Sequence, residues 1–244
     1  MIVKEFKSRE EWMSFRAGKI GGSSSYDVYS VKEPTTDDIK KVLDEAKVEY
    51  KKSAPKAELK ALVPEDCADK IQERIEKKMG YYQMMAERLV IAVEAPEDET
   101  PLDRGTRLEQ EAVETFAEVT KKKITNEEVI WVSDAHSSIT YSPDGVVSEK
   151  EVAEAKCLSS ALHLYIYFEK DIPQEYQRQN LQAFVVNEKI QTLHFVCYDQ
   201  RIPSLPLHYI TIHREDIADE VEAHKQHQLK VLEMLEQDIV SLTF

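Results

Sequence analysis

Glycine and proline are scarce in this sequence, and long apolar runs are absent from it. Of the 244 residues, 6 are glycine and 9 are proline, which does not favour a disordered protein. No uninterrupted apolar run approaches the roughly 18 residues needed to span a membrane, so a membrane protein is not favoured either. With 42% hydrophobic residues, the chain suits one soluble α/β domain with a sizeable core.

The N-terminus also lacks a secretory signal. MIVKEFKSREEW alternates charged residues with single apolar ones and has neither a basic start nor an apolar run. We therefore expect a cytoplasmic location, which would be the bacterial host cytoplasm if a phage encodes the protein.

Cysteines are few and widely spaced. Cys67, Cys157 and Cys197 are an odd number and form no CxxC pair. The spacing therefore indicates three free thiols, without a disulfide framework or a cysteine metal site.

An excess of positive charge is absent as well. The formal net charge is −14, which would repel a DNA duplex at long range. Composition alone thus disfavours a DNA partner. A DNA-binding protein with this charge must concentrate its basic residues in a groove and offset its carboxylates with metal ions.

Helical patterns dominate the first half of the chain. Residues 8–16 predict a short helix with Ser8 as its N-cap, and the following KIGGSSSYDV predicts a tight turn that can cradle an anion. Residues 36–50 and 65–93 read as amphipathic helices, separated by a lysine-rich connection. A further helix follows over TRLEQEAVETFAEVT and carries Glu109.

Strand-like segments appear from residue 128 onward. EVIWVS, SITYSPDGVV and EVAEAKCL predict three neighbouring strands. Short helices starting near Ser159 and Pro173, two more strands and a long helix from about residue 216 complete the chain. We expect one domain over residues 1–244, with a charged helical insertion at about residues 31–100.

The strongest chemical signal is a pair of carboxylates followed by a lysine. Asp144 lies between a proline and a glycine, and Glu154-Ala155-Lys156 follows on the next predicted strand. Strand alternation puts Glu154 and Lys156 on one face, where hard oxygen ligands suit magnesium. Alone this D-x9-E-x-K pattern is weak, because a chain with 32% charged residues produces it by chance.

Four ordered blocks around this motif resemble a known family. They are EEWMSFRAGKIGGSSS at 10–25, DRGTRLEQEAVETFAEV at 103–119, SDAHSSITYSPDGVVSEKEVAEAKC at 133–157 and QRQNLQAFVVNEKIQTLHFVCYDQRI at 177–202. Together they are similar to lambda exonuclease and its YqaJ-type viral recombinase relatives in the PD-(D/E)xK nuclease superfamily. The resemblance implies an α/β fold with a mixed central sheet flanked by helices.

The resemblance also implies roles for the motif residues. Asp144 and Glu154 match the two carboxylate metal ligands, the backbone carbonyl of Ala155 completes the set, and Lys156 matches the catalytic lysine. Two Mg²⁺ ions are implied, and Mn²⁺ is expected to substitute. Glu109 matches a helix glutamate that approaches the second metal or its waters.

The remaining implied roles concern the nucleophile and the DNA end. Gln182 matches the helix glutamine that helps to place the nucleophile and the phosphate. Arg16 and Ser23 match the residues that hold the 5′-phosphate, with Ser142 nearby, and Asp134 is a weaker candidate behind the metal ligands. Ordinary structural roles for Arg16, Glu109 and Gln182 remain open alternatives.

The resemblance implies a magnesium-dependent exonuclease that digests one strand of duplex DNA from its 5′ end. It would release mononucleotides and leave a 3′ overhang for recombination by strand annealing. The resemblance further implies a ring-shaped homotrimer and a single-strand annealing protein as partner. No membrane association is expected. Two alternatives stay open: an endonuclease of the same superfamily, and a non-catalytic scaffold that binds DNA ends. A Cas4-like nuclease is disfavoured, because three cysteines cannot ligate an iron–sulfur cluster.

This sequence departs from the family in two respects. The stretch between the Gly/Ser turn and Glu109 is longer and more charged than the family pattern requires. The segment PEDETP before Glu109 also offers no lysine where the family has one. Lys51, Lys52 or Lys56 are the alternatives from the insertion.

Overall fold

A computed structural model describes residues 4, 6–21, 25–93, 101–125 and 129–242. The chain divides into two compact units, Met1–Arg88 and Leu89–Phe244. The predicted single domain over residues 1–244 is not decided by this division and stays a prediction. The stretch at about 31–100 is helical only in part, because it also contains strand residues.

The first unit combines short helices with a small two-stranded antiparallel sheet. Its elements are α1 (Arg9–Arg16), α2 (Ser25–Val28), β1 (Tyr29–Lys32), α3 (Thr36–Glu45), α4 (Lys56–Ala61), β2 (Arg74–Lys77) and α5 (Met79–Leu89). Strands β1 and β2 pair antiparallel, with Val31 opposite Ile75. A 3₁₀ turn at Glu65–Ile71 precedes β2.

Local capping signals explain where the helices of this unit begin. Ser8 accepts a hydrogen bond from the backbone N–H of Glu11 at 3.1 Å, which makes it the N-cap of α1 as expected. Thr35 and Asp38 form a reciprocal capping box at the start of α3. Below α3, Ile39, Leu43 and Leu59 build a small buried core.

The second unit is built around a mixed four-stranded sheet. Its elements are α6 (Pro101–Thr120), β3 (Trp131–Val132), β4 (Thr140–Tyr141), β5 (Gly145–Ser148), β6 (Glu151–Lys156), α7 (Ser160–Glu169), α8 (Gln174–Val186), β7 (Thr192–Tyr198), β8 (Leu207–His213) and α9 (Ala218–Leu242). The sheet order is β5-β6-β7-β8. The β6–β7 pair is parallel, and the β5–β6 and β7–β8 pairs are antiparallel.

Helices cover both faces of this sheet. On one face, Phe116 of α6 packs with Ala153 and Val196. On the other, Val152 and Phe195 join Phe184 of α8 in the largest core cluster. The crossover from β6 to β7 runs through α7 and α8, because parallel neighbours need a long connection. The predicted class, a mixed sheet flanked by helices, is confirmed.

Two expectations about elements were wrong. Residues 65–93 are not one helix, because Arg74–Lys77 pairs with β1 and splits the stretch into a 3₁₀ turn, a strand and α5. The three strands expected from residue 128 are not all neighbours in one sheet, since β3 and β4 pair with each other and β5 pairs with β6.

Two simpler features complete the description. All three cysteines are free thiols, as the spacing predicts. None of the helices in the described part of the chain combines the length and the apolar composition of a transmembrane span.

Candidate active site

Asp144 lies immediately before β5, at the end of the β5–β6 pairing. The last paired position is Gly145 opposite Ala153, so Ala155 extends beyond the β5 ladder. Its backbone N–H donates instead to Oδ2 of Asp144 at 2.7 Å. The carboxylate thus satisfies a buried amide that would otherwise lack a partner.

The same register frees a carbonyl. In a strand, the N–H and C=O of one residue point towards the same edge. The carbonyl oxygen of Ala155 therefore lies on the edge where its N–H meets Asp144, past the end of β5. This is the side on which the predicted ligands Asp144 and Ala155 are brought together.

Glu154 is the most buried charged residue of the site, with 1% of its surface exposed. Its Oε2 accepts a hydrogen bond from the hydroxyl of Tyr141 at 2.6 Å. Its Oε1 accepts from Nζ of Lys156 at 2.6 Å and from Nε2 of Gln179 at 2.5 Å. Three donors on one carboxylate hold it in a single orientation.

The Glu154–Lys156 contact confirms the strand alternation read from the sequence. Both side chains leave β6 on the same face and form an ion pair, and the Lys156 side chain is only 14% exposed. Burial alone would lower the pKa of Lys156, but the negative charges of Glu154, Asp144 and Glu109 outweigh it and raise the pKa. The lysine is therefore a protonated, positively charged group.

The carboxylates of the site share a surplus of negative charge. Burial raises the pKa of Asp144, against the opposing effect of Lys156. Burial also raises the pKa of Glu154, with Lys156 lowering it and Asp144 raising it further. Such shifts mark groups whose charged forms lack full compensation, which is common at functional sites.

Glu109 approaches this cluster from helix α6. It is half-buried, and burial raises its pKa, with the charge of Asp144 adding to the effect and that of Lys156 opposing it. The structure therefore brings Glu109 into the electrostatic neighbourhood of Asp144 and Lys156. The predicted set of two carboxylates, a lysine and a helix glutamate converges at one edge of the sheet.

The donor set fits a hard divalent cation. Over the described residues, no three His, Cys, Asp or Glu side chains form a ready-made metal cluster. Magnesium does not need one, because it binds through one or two carboxylates and completes its shell with waters and substrate phosphate. Asp144, Glu154 and the carbonyl of Ala155 offer such a partial shell, and their raised carboxylate pKa values indicate charge that a cation would neutralise.

The amide that contacts Glu154 is that of Gln179, whereas the sequence pattern assigned the helix glutamine of the site to Gln182, whose role stays a prediction. Nε2 of Gln182 donates to the carbonyl of Thr140 at 3.0 Å, and its Oε1 accepts from Gln228. Positions three apart on a helix differ by about 60° around the axis and about 4.5 Å along it, which is enough for Gln179 and Gln182 to contact different neighbours. Gln179 meets Glu154, and Gln182 meets β4 and α9.

Ser142 and Asp134 stand apart from this hydrogen-bonded cluster. Oγ of Ser142 donates to the carbonyl of Val129 at 2.6 Å. Asp134 is exposed in the bend that follows β3. Their assignment to the phosphate pocket and to the surroundings of the metal stays a prediction.

Arg16 belongs to the other compact unit. Its guanidinium carbon lies 4.4 Å from the centroid of the Trp12 ring, at the C-terminal end of α1. Ser23 lies outside the described residues. The role of both in holding a 5′-phosphate stays a prediction.

Two contacts of the site were missed by the sequence analysis. Tyr141 precedes the Ser-Pro-Asp-Gly segment, and its distance from Glu154 in sequence hides their contact. Gln179 lies in QRQNLQ, and the sequence alone does not show which of its three glutamines contacts Glu154. Only the rotation of α8 about its axis distinguishes among them.

Comparisons with known proteins extend this description. A search of the curated proteins found no match. An alkaline exonuclease from Laribacter hongkongensis is 20% identical, with 96% of this chain and 100% of that chain covered at a TM-score of 0.49, and its complex with dAMP gives the same values. A phage related exonuclease from Haemophilus somnus 129PT is 13% identical, with 89% and 100% covered at a TM-score of 0.39.

The family comparison is more extensive along the sequence. The model of the YqaJ-like viral recombinase domain matches residues 11–189, which include Asp144, Glu154, Lys156 and Gln179. The match spans well over half of the 244 residues. The resemblance stated from the four sequence blocks is thereby confirmed, and the chain belongs to the YqaJ-like viral recombinase family.

Proposed function

We propose that this protein is a recombination nuclease that degrades one strand of linear double-stranded DNA from its 5′ end. Mononucleotides are released, and a 3′ overhang remains for strand annealing. The observation that carries the proposal is the buried cluster in which Lys156 and Gln179 donate to Glu154 beside Asp144. Membership of a viral recombinase family supports the recombination context.

Each residue of the cluster has a role in phosphodiester hydrolysis. Asp144, Glu154 and the carbonyl of Ala155 would hold Mg²⁺, or Mn²⁺ in its place, and Glu109 would reach a second ion directly or through water. When bound, the metal would lower the pKa of a water molecule and polarise the scissile phosphate. The chain's own task is to keep these oxygens in position, which Tyr141 and Gln179 do for Glu154.

Lys156 acts on the charge that develops at phosphorus. The water oxygen forms a bond to phosphorus, the bond from phosphorus to the 3′ oxygen of the terminal nucleotide breaks, and that oxygen takes up a proton. The protonated amine of Lys156, whose pKa is raised by the three carboxylates around it, stabilises the added negative charge on the phosphate oxygens. It thus serves the transition state more than the bound substrate.

We propose the assembly that the resemblance to lambda exonuclease implies. A ring-shaped homotrimer would enclose duplex at one side and single strand at the other, and a single-strand annealing protein would take up the 3′ overhang. Light scattering at micromolar concentration, with and without DNA, tests the ring. A monomer in both conditions would exclude it.

The test of the activity uses linear duplex labelled at the 5′ or the 3′ ends, with Mg²⁺ or with EDTA. We expect early release of the 5′ label as mononucleotide in Mg²⁺ and none in EDTA. Covalently closed circular duplex is the control for the endonuclease alternative, and its cleavage would favour that alternative. Intact linear DNA that stays bound in Mg²⁺ would favour the non-catalytic scaffold.

A further inference from the structure

A cavity lies between α8, α9 and the loop before β4. It has a volume of about 500 Å³. Its polar lining consists of Ser138, Arg178, Gln182, His224, His227 and Gln228, and the remaining lining is aliphatic. We call it the α8–α9 pocket.

The α8–α9 pocket has no carboxylate in its lining. This is unusual for a chain with 46 acidic and 32 basic residues. Arg178 is exposed and makes no ion pair with any residue in the described ranges. Its guanidinium is therefore available to an anion from solution.

The pKa of His224 reports positive charge in the pocket lining. Burial lowers the pKa of His224, and the positive charges of Arg178 and His227 lower it further. Nε2 of His224 lies 3.0 Å from Nε2 of Gln228, whose amide also donates to Gln182. Gln182 in turn is anchored to the carbonyl of Thr140. The pocket wall is thus a hydrogen-bonded network of amide and imidazole groups beside the positively charged Arg178.

The pocket adjoins the active centre through one turn of α8. Arg178 immediately precedes Gln179, which donates to Glu154. Arg178 and Gln182 lie four residues apart, about 6 Å along the helix axis. One side of this turn therefore faces the carboxylates, and the neighbouring side presents Arg178 and Gln182 to the pocket.

We propose that the α8–α9 pocket is an additional phosphate site, which binds a phosphate ester of DNA next to the group being hydrolysed. The inference rests on the proposed function and extends it. Arg178 supplies a planar donor fork for phosphate oxygens, and His227 supplies an additional donor. The site would place one positively charged side chain, Arg178, on the helix that also carries Gln179 of the active centre, in a chain with a net charge of −14.

The test measures DNA affinity without cleavage. Fluorescence anisotropy in EDTA gives the Kd of a labelled duplex with a 3′ overhang for wild type, Arg178→Gln and Lys230→Gln. Lys230 is the matched control, since it is an exposed cation on α9 outside the pocket lining. We expect Arg178→Gln to weaken binding about tenfold, the lower end for a charge-assisted phosphate contact, and Lys230→Gln to change it less than about twofold.

The salt dependence gives a second readout. Loss of one phosphate contact should reduce the slope of log Kd against log salt by about 0.7–0.9. His227→Gln should change affinity in the same direction, and thermal unfolding of each variant checks that the fold is retained. Equal affinities and slopes for Arg178→Gln and Lys230→Gln would overturn the phosphate site.

Competition with dAMP distinguishes a pocket that binds the released nucleotide from one that binds the DNA backbone. A cleavage assay distinguishes failure of the proposed nuclease from failure of the pocket. If dAMP displaces the duplex from wild type more readily than from Arg178→Gln, the pocket takes the released nucleotide. If dAMP affects both proteins equally while Arg178→Gln binds duplex weakly, the pocket takes the DNA backbone. Wild type that binds duplex in EDTA but leaves it intact in Mg²⁺ would refute the proposed nuclease, and the difference in Kd between Arg178→Gln and Lys230→Gln would still decide the pocket.

Discussion

The hydroxyl of Tyr141 donates a 2.6 Å hydrogen bond to Oε2 of Glu154, a carboxylate that is 1% exposed. A buried carboxylate that loses a donor keeps its desolvation cost. We expect Tyr141→Phe to lower the free energy of unfolding by about 1.5–3 kcal/mol and to reduce the hydrolysis rate about tenfold or more. Urea unfolding and the end-label assay measure both effects.

The control for this change is Tyr165→Phe. The hydroxyl of Tyr165 donates to Asp171, also at 2.6 Å, but in an exposed position. Water replaces such a contact, so the loss should stay below about 1 kcal/mol. Equal losses for the two variants would contradict the special role of Tyr141.

A matched pair of glutamines tests which face of α8 serves the site. Gln179→Ala removes a donor to Glu154, whereas Gln182→Ala removes a donor to the carbonyl of Thr140. We expect Gln179→Ala to lower kcat about 10- to 150-fold, as loss of a charged hydrogen bond does, and Gln182→Ala to lower it less than about threefold. A larger effect of Gln182→Ala than of Gln179→Ala would support the assignment of Gln182 made from the sequence.

Buried histidines predict a loss of stability in acid. Burial lowers the pKa of His208 to about 4, with His163 adding to the effect. Its Nε2 donates to the carbonyl of His163 at 2.9 Å, so the folded protein holds the neutral ring. Because the unfolded chain has the ordinary pKa near 6.5, protonation favours unfolding. The contribution is fully present above about pH 6.5 and is lost as the pH falls towards about 4, to a total of up to about 3 kcal/mol.

The measurement compares how steeply the free energy of unfolding declines with falling pH in wild type and in His208→Gln. Urea unfolding at several pH values between about 7 and 4.5 should give a shallower decline for His208→Gln than for wild type, whatever the stability of the variant at neutral pH. An unchanged slope in His208→Gln would assign the acid sensitivity to other groups.

Preference for the DNA end tests the assignment of Arg16. We expect 5′-phosphorylated duplex to be digested faster than 5′-hydroxyl duplex, and Arg16→Ala to slow phosphorylated ends by roughly 10- to 150-fold. Hydroxyl ends should lose much less. Rates on both substrates at one fixed salt concentration decide this, since general phosphate attraction varies strongly with salt. Equal losses would assign Arg16 to folding, consistent with its contact with the Trp12 ring.

Local signals explain the parts of the fold that the sequence predicts well. Ser8 caps α1, Pro173 precedes α8, and the apolar stripe of α6 is buried at Leu108, Val113 and Phe116. Strand β2 has no such signal. Its residues Arg74–Lys77 are all exposed and are compatible with helical spacing, and they form a strand because they pair with β1 far earlier in the chain.

The same distinction applies to the site. Asp144, Glu154 and Lys156 are predictable because strand alternation and a Pro-Asp-Gly turn are local properties. The choice between Gln179 and Gln182 depends on how α8 is rotated against the sheet, which packing around Phe184 and Phe195 decides. The contact between Tyr141 and Glu154 depends on the path of the chain between β4 and β6, which no sequence periodicity predicts.

The most direct test of the central claim is the effect of Lys156→Ala on hydrolysis and on DNA binding, measured in the same preparation. Lys156 forms a buried ion pair with Glu154, and the negative charges of Asp144 and Glu109 also act on it. Because it serves the transition state and is one of many phosphate contacts, we expect Lys156→Ala to abolish release of the 5′ label in Mg²⁺ while Kd for the duplex in EDTA changes less than about threefold. Digestion of duplex by Lys156→Ala at the wild-type rate would show that this cluster is not the catalytic centre.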